Sequence, residues 1–242
     1  MKTKMKTKNP YLKDKVVVIT GASRGLGKEL SLAFSQKGSR CILFARSENA
    51  LNNLINEITK NGGAAAYLSG NITNPEDIRK LREKAVADYG SLDIWVNNAG
   101  VWDYGAVETI NPMDMEETFR VNTFGAIYGC REAYSWMKRV NRGIIVNVIS
   151  TSGQEGKKGE AVYCASKFAV RGFTESLRKE AKEHGVRVIP VYQGGMNTTF
   201  FKEEKPDMDT KSFMDPRDVA DAIVNAAATP DTMLPELYLG RN

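Results

Sequence analysis

The residues best suited to chemistry are a tyrosine and a lysine in the segment YCASK, residues 163–167. Tyr163 and Lys167 are four positions apart, so on a helix they share one face. A tyrosine with an ordinary pKa of about 10 needs a fall of about three units, roughly 4 kcal/mol, to exchange protons near neutrality. Because a nearby ammonium favours the phenolate, the spacing predicts an acid–base pair. Taken alone, the same spacing is more often an ordinary exposed pair on a helix.

A serine thirteen residues upstream adds to this pattern. Ser150 ends the apolar run GIIVNVIS, residues 143–150, which reads as a buried strand. A hydroxyl at a strand's carboxyl end can donate a hydrogen bond to a substrate oxygen, which predicts proton donation combined with stabilisation of that oxygen. His184 is the only histidine, which argues against a Ser-His-Asp triad.

A glycine-rich turn, TGASRGLG at residues 20–27, separates the first predicted strand from the first predicted helix. In that position Gly21 permits a tight turn, Gly25 lets the backbone approach a phosphate, and Gly27 allows close packing of helix on sheet. The helix N-terminus then offers free N–H groups to a pyrophosphate. A P-loop does not fit, because Leu26 stands where its second glycine would be and Glu29 where its hydroxyl residue would be. A purely structural turn is the alternative.

The residues after the second predicted strand bear on the choice of dinucleotide. An acidic residue there would bind a bare ribose hydroxyl, but Ala45 and Arg46 follow, and Arg24 lies in the glycine turn. Two guanidiniums can pair with a 2′-phosphate. The sequence therefore predicts NADP(H) rather than NAD(H), with two solvated arginines as the alternative.

Apolar strand-like runs alternate with helical segments along the chain. This alternation predicts an α/β fold, a doubly wound parallel sheet of the Rossmann type with about seven strands, in a single domain over residues 14–242. The predicted strands are 15–20, 40–45, 64–70, 92–97, 143–150, 186–192 and 236–239, and the main helices are 26–38, 48–61, 74–90, 112–140, 160–184 and 216–228.

Four motifs in order resemble the short-chain dehydrogenase/reductase family over residues 14–240. They are TGASRGLG, NNAG at 97–100, STSG beginning at Ser150, and YCASK. The resemblance implies a catalytic tetrad of Asn122, Ser150, Tyr163 and Lys167. It also implies that Lys167 binds the nicotinamide ribose, that Asn122 holds a water in a proton relay, and that Tyr163 protonates a carbonyl while the cofactor delivers hydride.

The implied cofactor-binding set covers five loops at one edge of the sheet. It comprises Gly21, Ser23, Arg24, Gly25, Leu26, Gly27, Arg46, Asn71, Ile72, Asn98, Ala99, Gly100, Tyr163, Lys167, Gly194 and Thr198. Two positions depart from the family pattern. Asn71 replaces the usual aspartate beside the adenine but keeps a carbonyl acceptor, and Gln193-Gly194 replaces the usual Pro-Gly, which frees one backbone angle.

Composition excludes several other classes. The net charge of +5 comes from five lysines in residues 1–13, and without them 29 basic residues balance 29 acidic ones. We therefore expect no nucleic-acid partner, and we expect residues 1–13 to be a disordered basic tail. No long apolar run predicts a membrane span or a secretory signal. Three scattered cysteines predict a reduced cytoplasmic protein with no metal site.

The substrate is expected to lie against residues 101–108 and 153–160 and beneath a lid at about 199–215. Phe200, Phe201, Phe213 and Met214 could cover an apolar substrate, and Lys157 and Lys158 could attract an anionic one, although a solvated loop is the commoner meaning of such lysines. The favoured activity is a general carbonyl reductase or alcohol dehydrogenase acting on a small molecule. A 3-oxoacyl-acyl-carrier-protein reductase ranks lower, since the glycine-rich ending typical of those enzymes is absent.

Two further expectations concern assembly and class. The helix at 112–140 carries two apolar stripes, and only one can pack on the sheet, so a homodimer or homotetramer is predicted. The alternative from another class is a non-catalytic NADP(H)-binding sensor or scaffold on the same fold, which would not need the tetrad.

Overall fold

The computed structural model describes residues 10–202, 204–229 and 236–241. Its core is one seven-stranded sheet in the order β3-β2-β1-β4-β5-β6-β7, in which every neighbouring pair is parallel. The strands are β1 (Val16–Thr20), β2 (Arg40–Ala45), β3 (Ala64–Ser69), β4 (Ile94–Asn97), β5 (Gly143–Val148), β6 (Val186–Gln193) and β7 (Leu237–Leu239). The order reverses beside β1, which opens a crevice at the carboxyl ends of β1 and β4.

Helices cover both faces of the sheet. They are α1 (Gly25–Gln36), α2 (Glu48–Lys60), α3 (Pro75–Tyr89), α4 (Pro112–Phe119), α5 (Gly125–Val140), α6 (Ala161–Lys182) and α7 (Pro216–Ala227). Alternate strand residues feed two buried clusters: Val17 and Ile19 pack with α1, α2 and α7, whereas Val16 and Val18 pack with α3, α5 and α6. The predicted doubly wound α/β fold is confirmed.

Local signals explain why the element boundaries lie close to the predicted ones. Pro75 opens α3, and the side chain of Asn74 caps it by accepting a hydrogen bond from the N–H of Glu76 at 3.1 Å. Gly90 ends the same helix in the left-handed conformation, with φ of 73°.

The helix predicted over 112–140 is interrupted. A π-helical turn, Arg120–Phe124, joins α4 to α5 and contains the buried Asn122. Such wide turns insert an extra residue into the helical ladder and are common at functional sites. The next residue, Gly125, lies against the loop after β3, where an added Cβ would come within 2.7 Å of Ile72. The segment is therefore helical throughout, as predicted, and the π-helical turn within it is the feature that the sequence did not indicate.

The disordered tail predicted over residues 1–13 extends too far toward the core. Residues 1–9 of the predicted tail lie outside the described residues. Residues Pro10–Leu12 form a short 3₁₀ turn, and Leu12 is fully buried in the core with α1. The Ser39 hydroxyl donates to the Leu12 carbonyl at 2.9 Å. Within the described residues, none of the helices is long and apolar enough to cross a bilayer.

Candidate active site

Most of the predicted site residues line one cleft of about 490 Å³ at the carboxyl ends of the central strands. Of the sixteen predicted cofactor-binding residues, fifteen line this cleft; Gly194 lines the adjoining second cavity instead. Ser150 also lines the second cavity, whereas Asn122 is buried and lines neither. The cleft and cavity share Tyr163, Gln193, Met196, Thr198 and Phe200.

The glycine turn is packed too tightly for any side chain at two of its positions. Gly21 has φ of 65°, and a Cβ there would come within 2.8 Å of the Ala99 Cα. A Cβ on Gly27 would come within 2.1 Å of the Gly21 carbonyl oxygen. Helix α1 begins directly after Arg24, whose side chain makes no capping hydrogen bond. The first-turn N–H groups therefore face the cleft without a side-chain cap, which fits a bound pyrophosphate.

The NNAG segment braces this turn from β4. The Asn98 side chain donates to the Thr20 carbonyl at 2.9 Å, and the Thr20 hydroxyl accepts from the backbone N–H groups of Asn98 and Ala99 at 3.0 and 3.1 Å. These bonds fix the register of the glycine turn against β4. Thr20 was missing from the predicted set, although it opens the quoted motif.

The end of the cleft beside β2 carries positive charge. Arg24 and Arg46 both line it, next to Ala45, and Arg46 is exposed. Asn71 lines the cleft as predicted, but its side-chain carbonyl already accepts the Thr73 N–H at 3.0 Å. The acceptor inferred for adenine is therefore shared with the local turn.

Tyr163 and Lys167 lie on α6 and are both about 5% exposed. The Lys167 ammonium lies 5.6 Å from the centre of the Tyr163 ring and donates to the Val148 carbonyl at 3.4 Å. Burial lowers the pKa of Lys167 to about 8. The side chain of Ser150 lies near the Tyr163 hydroxyl and acts to lower the pKa of the phenol, so the two residues predicted to act on the substrate oxygen are neighbours.

The sequence predicted that neighbouring groups lower the pKa of Tyr163, and for the groups of the protein itself this direction is wrong. Burial raises the pKa of Tyr163 well above its ordinary value, and Glu160 raises it further, while the Ser150 side chain opposes both effects. The spacing showed that the lysine is close but not how completely the phenol is buried. A phenol with a raised pKa remains protonated at neutral pH, which suits a proton donor.

Ser150 stands in a strained backbone conformation. Its φ of 99° and ψ of 153° lie outside the regions favoured by residues with a Cβ. Its hydroxyl accepts the Ser152 N–H at 3.2 Å, which holds the oxygen in place beside the phenol.

The Asn122 side chain is fully occupied by protein groups. It accepts from the Val101 N–H at 2.8 Å and donates to the Val101 carbonyl at 2.9 Å and to the Ser166 hydroxyl at 3.0 Å. These bonds tie the loop after β4 to α6. The position implied for a relay water is therefore taken in part by bonds that hold the protein's own segments together.

The second cavity, about 420 Å³, is roofed by aromatic side chains. Phe201 packs edge-to-face on Trp102 at 5.0 Å and on Phe213 at 5.5 Å, and Phe200 approaches the Tyr163 ring at 6.3 Å between centroids. Lys157 lines this cavity and donates to the Thr151 hydroxyl at 2.9 Å, whereas Lys158 is exposed. The predicted lid therefore has an apolar underside with charge at its rim.

Met196 was missed by the sequence interpretation, although it lines both cavities. Met214 was predicted to cover substrate, but it pairs with Met196 in an isolated bridge and packs beside the core instead. In the described part of the chain, no group of three acidic, histidine or cysteine side chains could hold a metal ion.

Comparisons with known proteins agree with this geometry. Residues 15–209 match the family described as short chain dehydrogenase. An uncharacterized oxidoreductase, YxnA, from Bacillus subtilis is 33% identical over 99% of this chain and 68% of its own length. Versicolorin reductase from Emericella nidulans is 33% identical over 80% of this chain and 73% of its own length.

Two solved structures extend the likeness to nearly the whole fold. An alcohol dehydrogenase from the archaeon Thermococcus sibiricus, complexed with 5-hydroxy-NADP, has a TM-score of 0.86 and 25% identity over 94% of this chain and 96% of its own. A metagenomic short-chain oxidoreductase in complex with NADP has a TM-score of 0.84 and 27% identity over 96% of this chain and 99% of its own. The chain therefore belongs to the short-chain dehydrogenase family and is an oxidoreductase of that family.

Proposed function

We propose that residues 14–242 form one catalytic domain, an NADP(H)-dependent oxidoreductase that interconverts a carbonyl and an alcohol with Tyr163 as general acid and base. The observation that carries the proposal is the position of the Tyr163 hydroxyl. Tyr163 lines both the cofactor cleft and the second cavity, and Ser150 lines the second cavity beside it. A substrate oxygen at this junction would reach both hydroxyls.

In the reductive direction, the Tyr163 hydroxyl donates its proton to the substrate oxygen, and the Ser150 hydroxyl donates a hydrogen bond to the same atom. The bound nicotinamide supplies the hydride. The Lys167 ammonium lies close enough to stabilise the phenolate left on Tyr163. The aromatic roof excludes water from the oxygen as its charge changes.

The preference for NADP(H) rests on charge at the adenosine end. Arg24 and Arg46 line the cleft, and Ala45 stands where a carboxylate would repel a 2′-phosphate. The two solved relatives with 5-hydroxy-NADP and NADP in their complexes support the same choice.

The experiment is a screen of aldehydes, ketones and alcohols by the absorbance of NADPH, followed by kcat/KM for NADPH and NADH on the best substrate. We expect NADPH to be preferred and Ala45→Asp to reduce that preference. A higher kcat/KM with NADH would contradict the cofactor assignment, and no turnover of any carbonyl or alcohol would favour the sensor or scaffold. The second cavity is lined by charged side chains such as Glu155, Lys157 and Arg241 as well as by aromatic ones, and an acyl chain carried on a protein stays the lower-ranked alternative substrate.

Assembly and location are also proposals. Phe124 and Phe168 are 47% and 41% exposed, and the small residues Ala161, Ala165 and Gly172 are exposed along α6. A second copy of the chain would cover these faces, so we propose a homodimer or homotetramer, to be checked by light scattering at micromolar concentration. The thiols of Cys41, Cys130 and Cys164 are free and buried, which supports a reducing, cytoplasmic setting.

A further inference from the structure

The side chain of Gln193 is the least explained polar group beside the cleft. Gln193 ends β6 and is 7% exposed, and its side-chain oxygen is fully buried with no hydrogen-bond partner among the described residues. Buried amides are nearly always hydrogen-bonded, because an unpaired polar group opposes folding. Such a group indicates either that a ligand hydrogen-bonds to it or that the fold is less stable for no functional gain.

The position of Gln193 on β6 shows which face of the sheet its side chain lies on. Side chains alternate along β6: Tyr192 packs with Ile149 and Val170 on the α6 side, and Val191 packs on the opposite side with α1 and α7. Gln193 shares the side of Val191. Its side chain therefore leaves β6 on the face of the sheet opposite to the one on which Tyr192 packs against α6.

The same side chain lines both the cofactor cleft and the second cavity. Met196 and Thr198, on the loop that follows, line both as well. A dinucleotide whose pyrophosphate sits on α1 and whose reactive ring reaches Tyr163 would bring that ring to the part of the cleft where it joins the second cavity, which Gln193 also lines. The polar substituent of the ring is a carboxamide, which carries one acceptor and an NH₂ donor and so complements a glutamine amide.

We propose that the Gln193 amide hydrogen-bonds the carboxamide of the nicotinamide ring and fixes the rotation of that ring toward Tyr163. Gln193 is thus a cofactor-positioning residue that replaces a proline, which has no side-chain donor or acceptor. The inference rests on the proposed use of NADP(H) and adds a specific contact at its nicotinamide end.

The test is equilibrium binding of three probes by fluorescence titration, without turnover. The probes are NADP⁺, 2′,5′-ADP, which lacks the nicotinamide half, and the 3-acetylpyridine analogue of NADP⁺, in which a methyl replaces the amide NH₂. The variants are Gln193→Leu and, should that protein fold poorly, Gln193→Met, which keeps the length of the side chain. Gln36→Leu, on the exposed end of α1, is the matched control.

We expect the wild-type protein to bind NADP⁺ about tenfold more tightly than the acetylpyridine analogue, the equivalent of one good hydrogen bond. In Gln193→Leu that ratio should fall by at least about threefold, and 2′,5′-ADP should bind as in the wild type and in Gln36→Leu. An unchanged ratio would overturn the proposal, as would equal weakening of all three probes. A raised KM for the carbonyl with unchanged cofactor binding would overturn it too, since it would assign Gln193 to substrate.

Failure of the cofactor proposal can be told apart from failure of this one. If the chain binds NAD⁺ rather than NADP⁺, the same comparison with NAD⁺, ADP-ribose and acetylpyridine adenine dinucleotide still measures the Gln193 contact, because all the changes lie at the nicotinamide end.

Discussion

Two clusters of buried polar side chains lie close together on the central strands, and they differ in how completely they are hydrogen-bonded. The core cluster joins β4, β5 and α6. Trp95 donates to Asn97 at 2.7 Å, Asn97 donates to Asn147 at 2.8 Å, and Asn147 donates to Thr174 at 2.8 Å. Thr174 in turn donates to the Val170 carbonyl at 2.7 Å. Each donor in this chain therefore has an acceptor within the protein.

The site cluster, at the carboxyl ends of the same strands, lacks such completion. Lys167 makes one long hydrogen bond, and burial lowers its pKa to about 8. The Gln193 oxygen has no partner in the described structure, and Ser150 holds a positive φ. A satisfied network rigidifies the core, whereas an incomplete one costs stability that a ligand can restore. The comparison separates residues that stabilise the fold from residues whose hydrogen-bonding groups are left available to a substrate or cofactor.

The largest effect should come from the site cluster's phenol. Tyr163→Phe removes the proton donor but keeps the ring, so we expect kcat to fall about a thousandfold. The dissociation constant for NADP⁺ and the melting temperature should barely change. Stopped-flow or steady-state absorbance of NADPH measures the rate. Tyr128→Phe is the control, because Tyr128 stacks on Phe124 at 6.5 Å, away from the cleft; retained turnover in Tyr163→Phe would remove Tyr163 from the mechanism.

The core cluster should respond in stability rather than in rate. Asn147→Ala leaves the Asn97 amide with only the Cys130 sulfur as an acceptor and opens a small cavity, so the free energy of unfolding should fall by about 3 kcal/mol. Urea denaturation at pH 7 measures the loss, and cofactor affinity of the folded protein should be unchanged. Asn53→Ala, at an exposed position of α2, should change stability by less than about 0.5 kcal/mol. Equal stabilities of the two variants would show that the core network contributes nothing.

The sequence predicted the scaffold better than the environment of its reactive groups. Continuous apolar runs such as VVVIT mark buried parallel strands, and the glycine spacing marks the turn, because both patterns follow from backbone sterics and burial. The spacing of Tyr163 and Lys167 likewise placed them on one face of a helix. Local rules of this kind do not depend on what packs against the element.

The missed features all depend on contacts between distant segments. Burial of Tyr163 reverses the expected pKa shift, and the three bonds that occupy Asn122 come from Val101 and Ser166. Gln193 looked like a loss of rigidity in sequence, but the fold buries its amide beside the cleft. No periodicity or propensity reports which segment will cover a given side chain.

The pH dependence of stability tests the burial of Lys167 in the site cluster. Its folded pKa of about 8 lies below the ordinary value of 10.5, so between these values the unfolded chain holds more protons and stability rises with pH. The difference in unfolding free energy between wild type and Lys167→Met should shift by about 2 kcal/mol in favour of wild type from pH 7 to pH 10.

Taking the difference cancels the opposite trend from buried thiols such as Cys41 and Cys130, whose pKa values are raised to about 12 by burial. The exposed Lys60, at the end of α2, provides the control Lys60→Met, for which the difference should not depend on pH. If the difference in unfolding free energy between wild type and Lys167→Met also stayed constant with pH, burial would not lower the pKa of Lys167.

The smallest effect should come from backbone strain at Ser150. Ser150→Ala and Ser150→Gly both remove the hydroxyl, so both should lose turnover to a similar degree. Only glycine accepts a φ of 99° without steric cost, so Ser150→Gly should be more stable than Ser150→Ala by about 1 kcal/mol, after allowing for the greater freedom of glycine in the unfolded chain. Thermal and urea denaturation of the two variants measure this gap. If Ser150→Ala proved as stable as Ser150→Gly, the positive φ of Ser150 would not lower the stability of the fold. Any loss of stability in the site cluster would then come from its unpaired polar groups alone.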